Sequence, residues 1–88
     1  MRIKNGLIVQ QIDNDFYVID SGEEEPRFNG MVKLNETSHF IVDSLSKREL
    51  TIDELYDLFL NEYEVNKSEL IKSVPPVIKE LEKIGIIK

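Results

Sequence analysis

The chain has 88 residues, 41% of them hydrophobic, a formal net charge of −6 and no cysteine. That length makes a single domain, 1–88, with a modest core and little room for a deep catalytic cleft. The lack of cysteine excludes disulfides, thiolate metal sites and thiol nucleophiles.

No apolar run approaches the length of a membrane span, and "MRIKNGLIVQQIDND" lacks the pattern of a signal sequence. The expectation is a cytoplasmic, soluble protein. Its charge is unevenly placed. Between Asp13 and Glu62 there are thirteen acids against four bases, Arg27, Lys33, Lys47 and Arg48. From Val65 onward five lysines (Lys67, Lys72, Lys79, Lys83, Lys88) face three glutamates (Glu69, Glu80, Glu82). An acidic body is a poor polyanion binder, because neutralising phosphates supplies most nucleic-acid affinity.

Taken in chain order, "GLIVQQIDNDFYVID" reads as a β-hairpin. Leu7, Ile8, Val9 and Ile12 make one run and Phe16, Tyr17, Val18 and Ile19 the other, both β-branched or aromatic. Asp13, Asn14 and Asp15 between them are turn formers that tolerate left-handed backbone. "SGEEEPRFNG" has turn residues at both ends and a proline inside, and reads as a loop. A short third strand follows at Met31, Val32, Lys33 and Leu34.

Three helices come next. Asn35 caps the first, with Glu36 in its first turn and Leu34, Ser38, Ile41 and Leu45 on one face, flanked by Phe40. Thr51 and Glu54 form a capping box for the second, whose apolar face is Ile52, Leu55, Phe59 and Tyr63, with Leu58 beside it. Asn66 and Glu69 repeat the box for the third. There Leu70, Val74, Val77, Leu81 and Ile84 form a stripe that runs through Pro75 and Pro76. Two interior prolines cost the helix two donors. The stripe stays in phase across them, which predicts one kinked helix ended by Gly85. The order β-β-β-α-α-α is an α+β fold: a three-stranded antiparallel sheet followed by a three-helix bundle, winged-helix-like with the wing first.

Catalytic signatures are missing. There is no H-E-x-x-H, no glycine-rich phosphate loop and no G-x-S-x-G. The lone histidine, His39, reads as structural. Glu23, Glu24 and Glu25, like Asp53, Glu54 and Asp57, read as solvated charge runs. The chain is therefore expected not to be an enzyme and to need no cofactor or metal. A winged-helix DNA-binding regulator is one alternative, but "IDELYDLFLNEY" is acidic where a recognition helix is basic. A small acidic adapter subunit is another.

Peptide binding is the remaining class. As the last strand before the helices, Met31–Leu34 is a candidate sheet edge, and a guest peptide can pair with such an edge. The pocket wall would be the third helix, with Leu70, Ile71, Val74, Pro75 and Ile78 apolar and Lys67, Lys72 and Lys79 near. Ile71, Pro75 and Ile78 are the expected exposed flank. The lysines would favour an acidic guest. An open edge can also pair with a second copy, which makes a homodimer an option.

The hairpin, "GMVKLNETSHFIVDSL", "TIDELYDLFLNEYEVNKSEL" and a last helix ending "LEKIGII" resemble, over essentially the whole chain, the PqqD-like family, also called RiPP recognition elements. The resemblance implies a winged-helix-like domain that binds the leader of a ribosomally made precursor peptide. The leader would add a strand beside Met31, Val32, Lys33 and Leu34 and lie against Lys67 to Ile78. The domain would then present the precursor to a modifying enzyme, often a radical SAM protein. Pro75 and Pro76 depart from the family's third helix.

Overall fold

The computed structural model describes residues 1–20 and 31–88. The expected loop, with Glu23, Glu24 and Glu25, lies outside the described residues. Three strands, β1 (Leu7–Ile12), β2 (Asp15–Asp20) and β3 (Met31–Leu34), form one antiparallel sheet in the order β1-β2-β3. Ile12 faces Asp15, so the hairpin turns on Asp13 and Asn14 alone. Asp13 takes the left-handed conformation, φ 57°, which its short polar side chain tolerates.

Side chains alternate across the sheet. Val18 pairs with Val32 and Phe16 with Leu34 on the inner face, where Val18 and Leu34 are buried. Ile8, Ile19 and Met31 form a row on the outer face, beside Tyr17 and Lys33. Lys33 meets Asp15 there at 3.6 Å.

The helices are α1 (Glu36–Lys47), α2 (Ile52–Glu62) and α3 (Lys67–Ile84). All three start on the expected caps. Asn35 Oδ1 accepts from Ser38 N at 2.8 Å. Thr51 and Glu54 close a full capping box. The Thr51 backbone N–H, then its hydroxyl, then Arg48 hold the Glu54 carboxyl below the ordinary glutamate value. Asn66 Oδ1 accepts from Glu69 N at 2.9 Å, but Glu69 returns to the Asn66 side-chain amide rather than its backbone, so this box is partial. Gly85, at φ 100°, ends α3 in the left-handed conformation.

Two details of the apolar faces differ from expectation. Ile52 is 37% exposed and Tyr56 is buried with Leu55 and Phe59. Ile52 is the first residue of its helix, one turn before the packed face. On α3, Ile78 is only 5% exposed and joins Leu70, Val74 and Leu81 in the core, while Val77 is half-buried. At about 100° per residue, Val77 and Ile78 straddle the stripe, and the helix is rotated to bury the larger one.

The double proline does not split α3, which runs unbroken for 18 residues. The carbonyls that lose their donors belong to Ile71 and Lys72, and both residues are exposed, so water can serve them.

The two ends of the chain meet. Ile3 and Ile87 form an antiparallel bridge, Lys4 N donates to Ile86 O at 2.9 Å, and Lys88 N donates to Arg2 O at 2.9 Å. Leu50 N donates to Met1 O at 3.0 Å. Ile86 and Ile87 are buried. Beside this clasp, Lys4 Nζ lies 3.1 Å from Asp20 Oδ2, with side chains 3% and 4% exposed. The pair fastens the end of β2 to the N-terminal segment, whose backbone in turn bonds the segment just after α3.

Candidate functional site

β3 pairs only with β2, so its other side is an open edge of the sheet among the described residues. Along that edge runs a hollow of about 470 Å³. One wall is Val32, Lys33 and Leu34 of β3, continued by Asn35 and Ser38 at the start of α1. The other is the C-terminal half of α3, with Pro76, Val77, Glu80, Leu81 and Ile84. Its surface is mainly apolar, as a groove for extended backbone requires: unpaired main-chain groups on one side and side-chain pockets on the other.

Helix geometry explains which residues reach it. With Leu70, Val74, Ile78 and Leu81 held in the core, Val77, Ile84, Glu80 and Pro76 follow on one flank of α3 at about 3.6 residues per turn. Ile71, Pro75, Lys79 and Lys72 follow on the opposite flank. The expected site residues therefore divide. Val32, Lys33 and Leu34 line the groove. Met31 belongs to the outer-face row, 52% exposed. Leu70 and Val74 are core residues that also floor a second hollow of about 210 Å³, with Ser73, Phe59, Tyr63, Val65, Glu36 and Thr37. Ile78 is buried, so it is not on an exposed flank. Ile71 is 53% exposed but, with Pro75 and Lys67, lines neither hollow.

The electrostatic expectation changes with this division. None of Lys67, Lys72 and Lys79 lines either hollow, and the charge on the helix wall of the groove is the carboxylate of Glu80. Pro76 and Val77 fall within the expected wall, Lys67 to Ile78, without having been singled out as site residues, and Glu80 and Ile84 fall beyond it, because the apolar stripe gives the core face of α3 but not which flank turns towards β3.

The second hollow lies between the start of α1, α2 and the N-terminal half of α3. It is walled by an aromatic cluster in which Phe40 lies 4.5 Å from Phe59 and 5.3 Å from Tyr63. Burial, then the charges of Glu36 and Glu62, push the Tyr63 phenol above its ordinary value. A larger hollow of about 790 Å³ lies elsewhere, between β1 and α1, with both cationic and anionic residues on its rim. His39 stands at its edge, stacked on Phe16 with ring centroids 3.5 Å apart. Among the described residues no three His, Asp or Glu side chains converge where a metal ion could sit. Nor is any helix among them long and apolar enough to cross a membrane.

Residues 8–87 match the family model described as coenzyme PQQ synthesis protein D (PqqD). Two solved structures have a similar fold. TbiB1 in complex with the TbiA(beta) leader peptide is 15% identical with a TM-score of 0.77, over 100% of this chain and 95% of that one. Lasso peptide synthetase B1 complexed with the leader peptide is 20% identical with a TM-score of 0.73, over 99% of this chain and 95% of that one. No curated protein matches the sequence significantly.

Proposed function

Because this chain belongs to the PqqD family, whose model spans residues 8–87, we propose that it is a non-catalytic recognition domain for the leader of a ribosomally made precursor peptide. The leader adds itself as a fourth strand beside β3 and is held between that edge and α3. The observation that carries this reading is the coincidence of an open strand edge with a mainly apolar groove along it. Main-chain pairing would supply affinity for any extended segment, and the Val32, Leu34, Val77 and Ile84 surface would select apolar side chains at alternate positions. The two solved structures of similar fold, TbiB1 and lasso peptide synthetase B1, are both complexes with leader peptides, which supports the reading.

Bound in this way, the precursor is delivered to a modifying enzyme, of the radical SAM class in the form proposed here, in the cytoplasm. The domain raises the local substrate concentration and leaves the chemistry to its partner. Self-pairing of two β3 edges would compete with the leader for the same groups.

The test is fluorescence anisotropy with a labelled synthetic peptide, the N-terminal half of a precursor encoded beside this chain. The account expects saturable binding that the unlabelled leader reverses and the C-terminal half of the same precursor does not. Equal binding of both halves, or of neither, counts against it.

A further inference from the structure

The groove carries one feature that general strand addition does not use, the carboxylate of Glu80 in an otherwise apolar helix wall. We infer that Glu80 is a specificity-determining residue and that the guest segment this groove takes carries a lysine or arginine there. The inference rests on the peptide-binding reading above and gives that peptide its chemistry.

Among the described residues, two that line the groove are charged, Lys33 and Glu80. They are not equivalent. By strand alternation the Lys33 side chain stands on the sheet face opposite Val32 and Leu34, where it is 63% exposed and already meets Asp15 at 3.6 Å. Its charge is already paired on that other face before a guest arrives. Glu80 makes no ion pair with any described residue, including Lys83 one turn along the helix. It stands one turn from Pro76 and one turn from Ile84, so apolar surface borders it along the groove.

A guest strand beside β3 points every second side chain into the groove. An inward lysine or arginine can lay its aliphatic stem over Val77 or Ile84 and keep its charge at the Glu80 carboxylate near the rim. An inward acid meets an unpaired like charge with water partly displaced, and is rejected. Lys72 and Lys79, which would have favoured an acidic guest, lie on the other flank of α3. The predicted ligand is therefore an extended segment with apolar residues at alternate positions and one cation of the same parity.

The probe is a randomised dodecapeptide library displayed on mRNA, selected on the intact protein and on its Glu80→Lys and Glu80→Gln variants. Glu80 is exposed, so both variants are expected to fold, which circular dichroism checks. On the wild type the enriched peptides should carry a lysine or arginine at fixed even spacing from their apolar residues. On Glu80→Lys the same position should turn acidic. One enriched cationic peptide should bind Glu80→Lys about tenfold and Glu80→Gln about threefold more weakly at low salt, about 1.4 and 0.65 kcal/mol, and the difference should shrink as salt rises.

Enriched peptides that shift the β3 amides but show no charge preference, and bind all three proteins alike, overturn the role of Glu80 and leave the groove reading standing. Enriched peptides that shift amides elsewhere and leave β3 untouched overturn both.

Discussion

Replacing Lys4 with methionine tests the buried ion pair beside the terminal clasp. The substitution keeps most of the stem and removes the charge from a pair whose side chains are 3% and 4% exposed at 3.1 Å. At that burial, removing one partner of such a pair costs about 3 kcal/mol, the lower end of the range. A surface pair would cost at most about 1 kcal/mol. The chain has a marginal stability of about 5–10 kcal/mol, and for a domain of this size each kcal/mol moves Tm by about 4–8 °C. Lys4→Met should therefore lower Tm by about 12–24 °C in a calorimetric or circular-dichroism melt. The double variant Lys4→Met/Asp20→Leu, which removes both charges of the pair, should recover part of that loss. The backbone of Lys4 also bonds Ile86, just past the groove wall, so the single variant should bind the leader more weakly at a temperature where it remains folded. A fall in Tm under about 4 °C for Lys4→Met would refute the reasoning, because the pair would then behave as a solvated one.

Four further outcomes follow from the same geometry. Thr51→Ala should cost about 1 kcal/mol through loss of the α2 cap, read by urea denaturation. The Glu54 carboxyl is lowered in the folded state, so its contribution is present above the unfolded carboxyl value and lost as pH falls through the folded one. The stability gap between Glu54→Gln and wild type should accordingly be full at neutral pH and close below about pH 4. Val32 and Lys33 are neighbours in an edge strand, so one of their amides faces β2 and the other the open edge. Of Val32→Pro and Lys33→Pro, one should lower Tm and the other should leave Tm nearly unchanged while weakening leader binding; if neither alters binding, the edge is not used. Lys72→Glu, on the far flank of α3, should leave leader affinity unchanged in an anisotropy titration, and a clear fall would move the site to that flank.

The elements themselves were legible because local chemistry decides them. The Thr51–Glu54 box, the Asn35 and Asn66 caps and Gly85 are signals read within one turn, and the structure uses each one. The position of β3 at an edge was legible from strand order alone. The terminal clasp was not. Ile3 and Ile87 make a single bridge between segments at opposite ends of the chain, too short for alternation to show. Lys4 looked like one more early cation, since nothing near it in sequence announces Asp20. The helix wall of the groove was half legible for a related reason. Periodicity gives the buried face of α3, whereas which flank turns to β3 depends on how the helix crosses the sheet. In this structure Lys72 and Lys79 stand on the flank away from the groove and Glu80 lines it.

The most direct measurement is an NMR titration of isotope-labelled protein with the unlabelled leader, followed by intermolecular NOEs. The account predicts saturable amide shifts along Met31–Leu34, accompanied by shifts at Val77, Glu80 and Ile84, and cross-strand NOEs between β3 and the peptide backbone. Saturable shifts confined to the β1–α1 hollow or to Ile71, Lys72 and Lys79, with β3 unchanged, would contradict it.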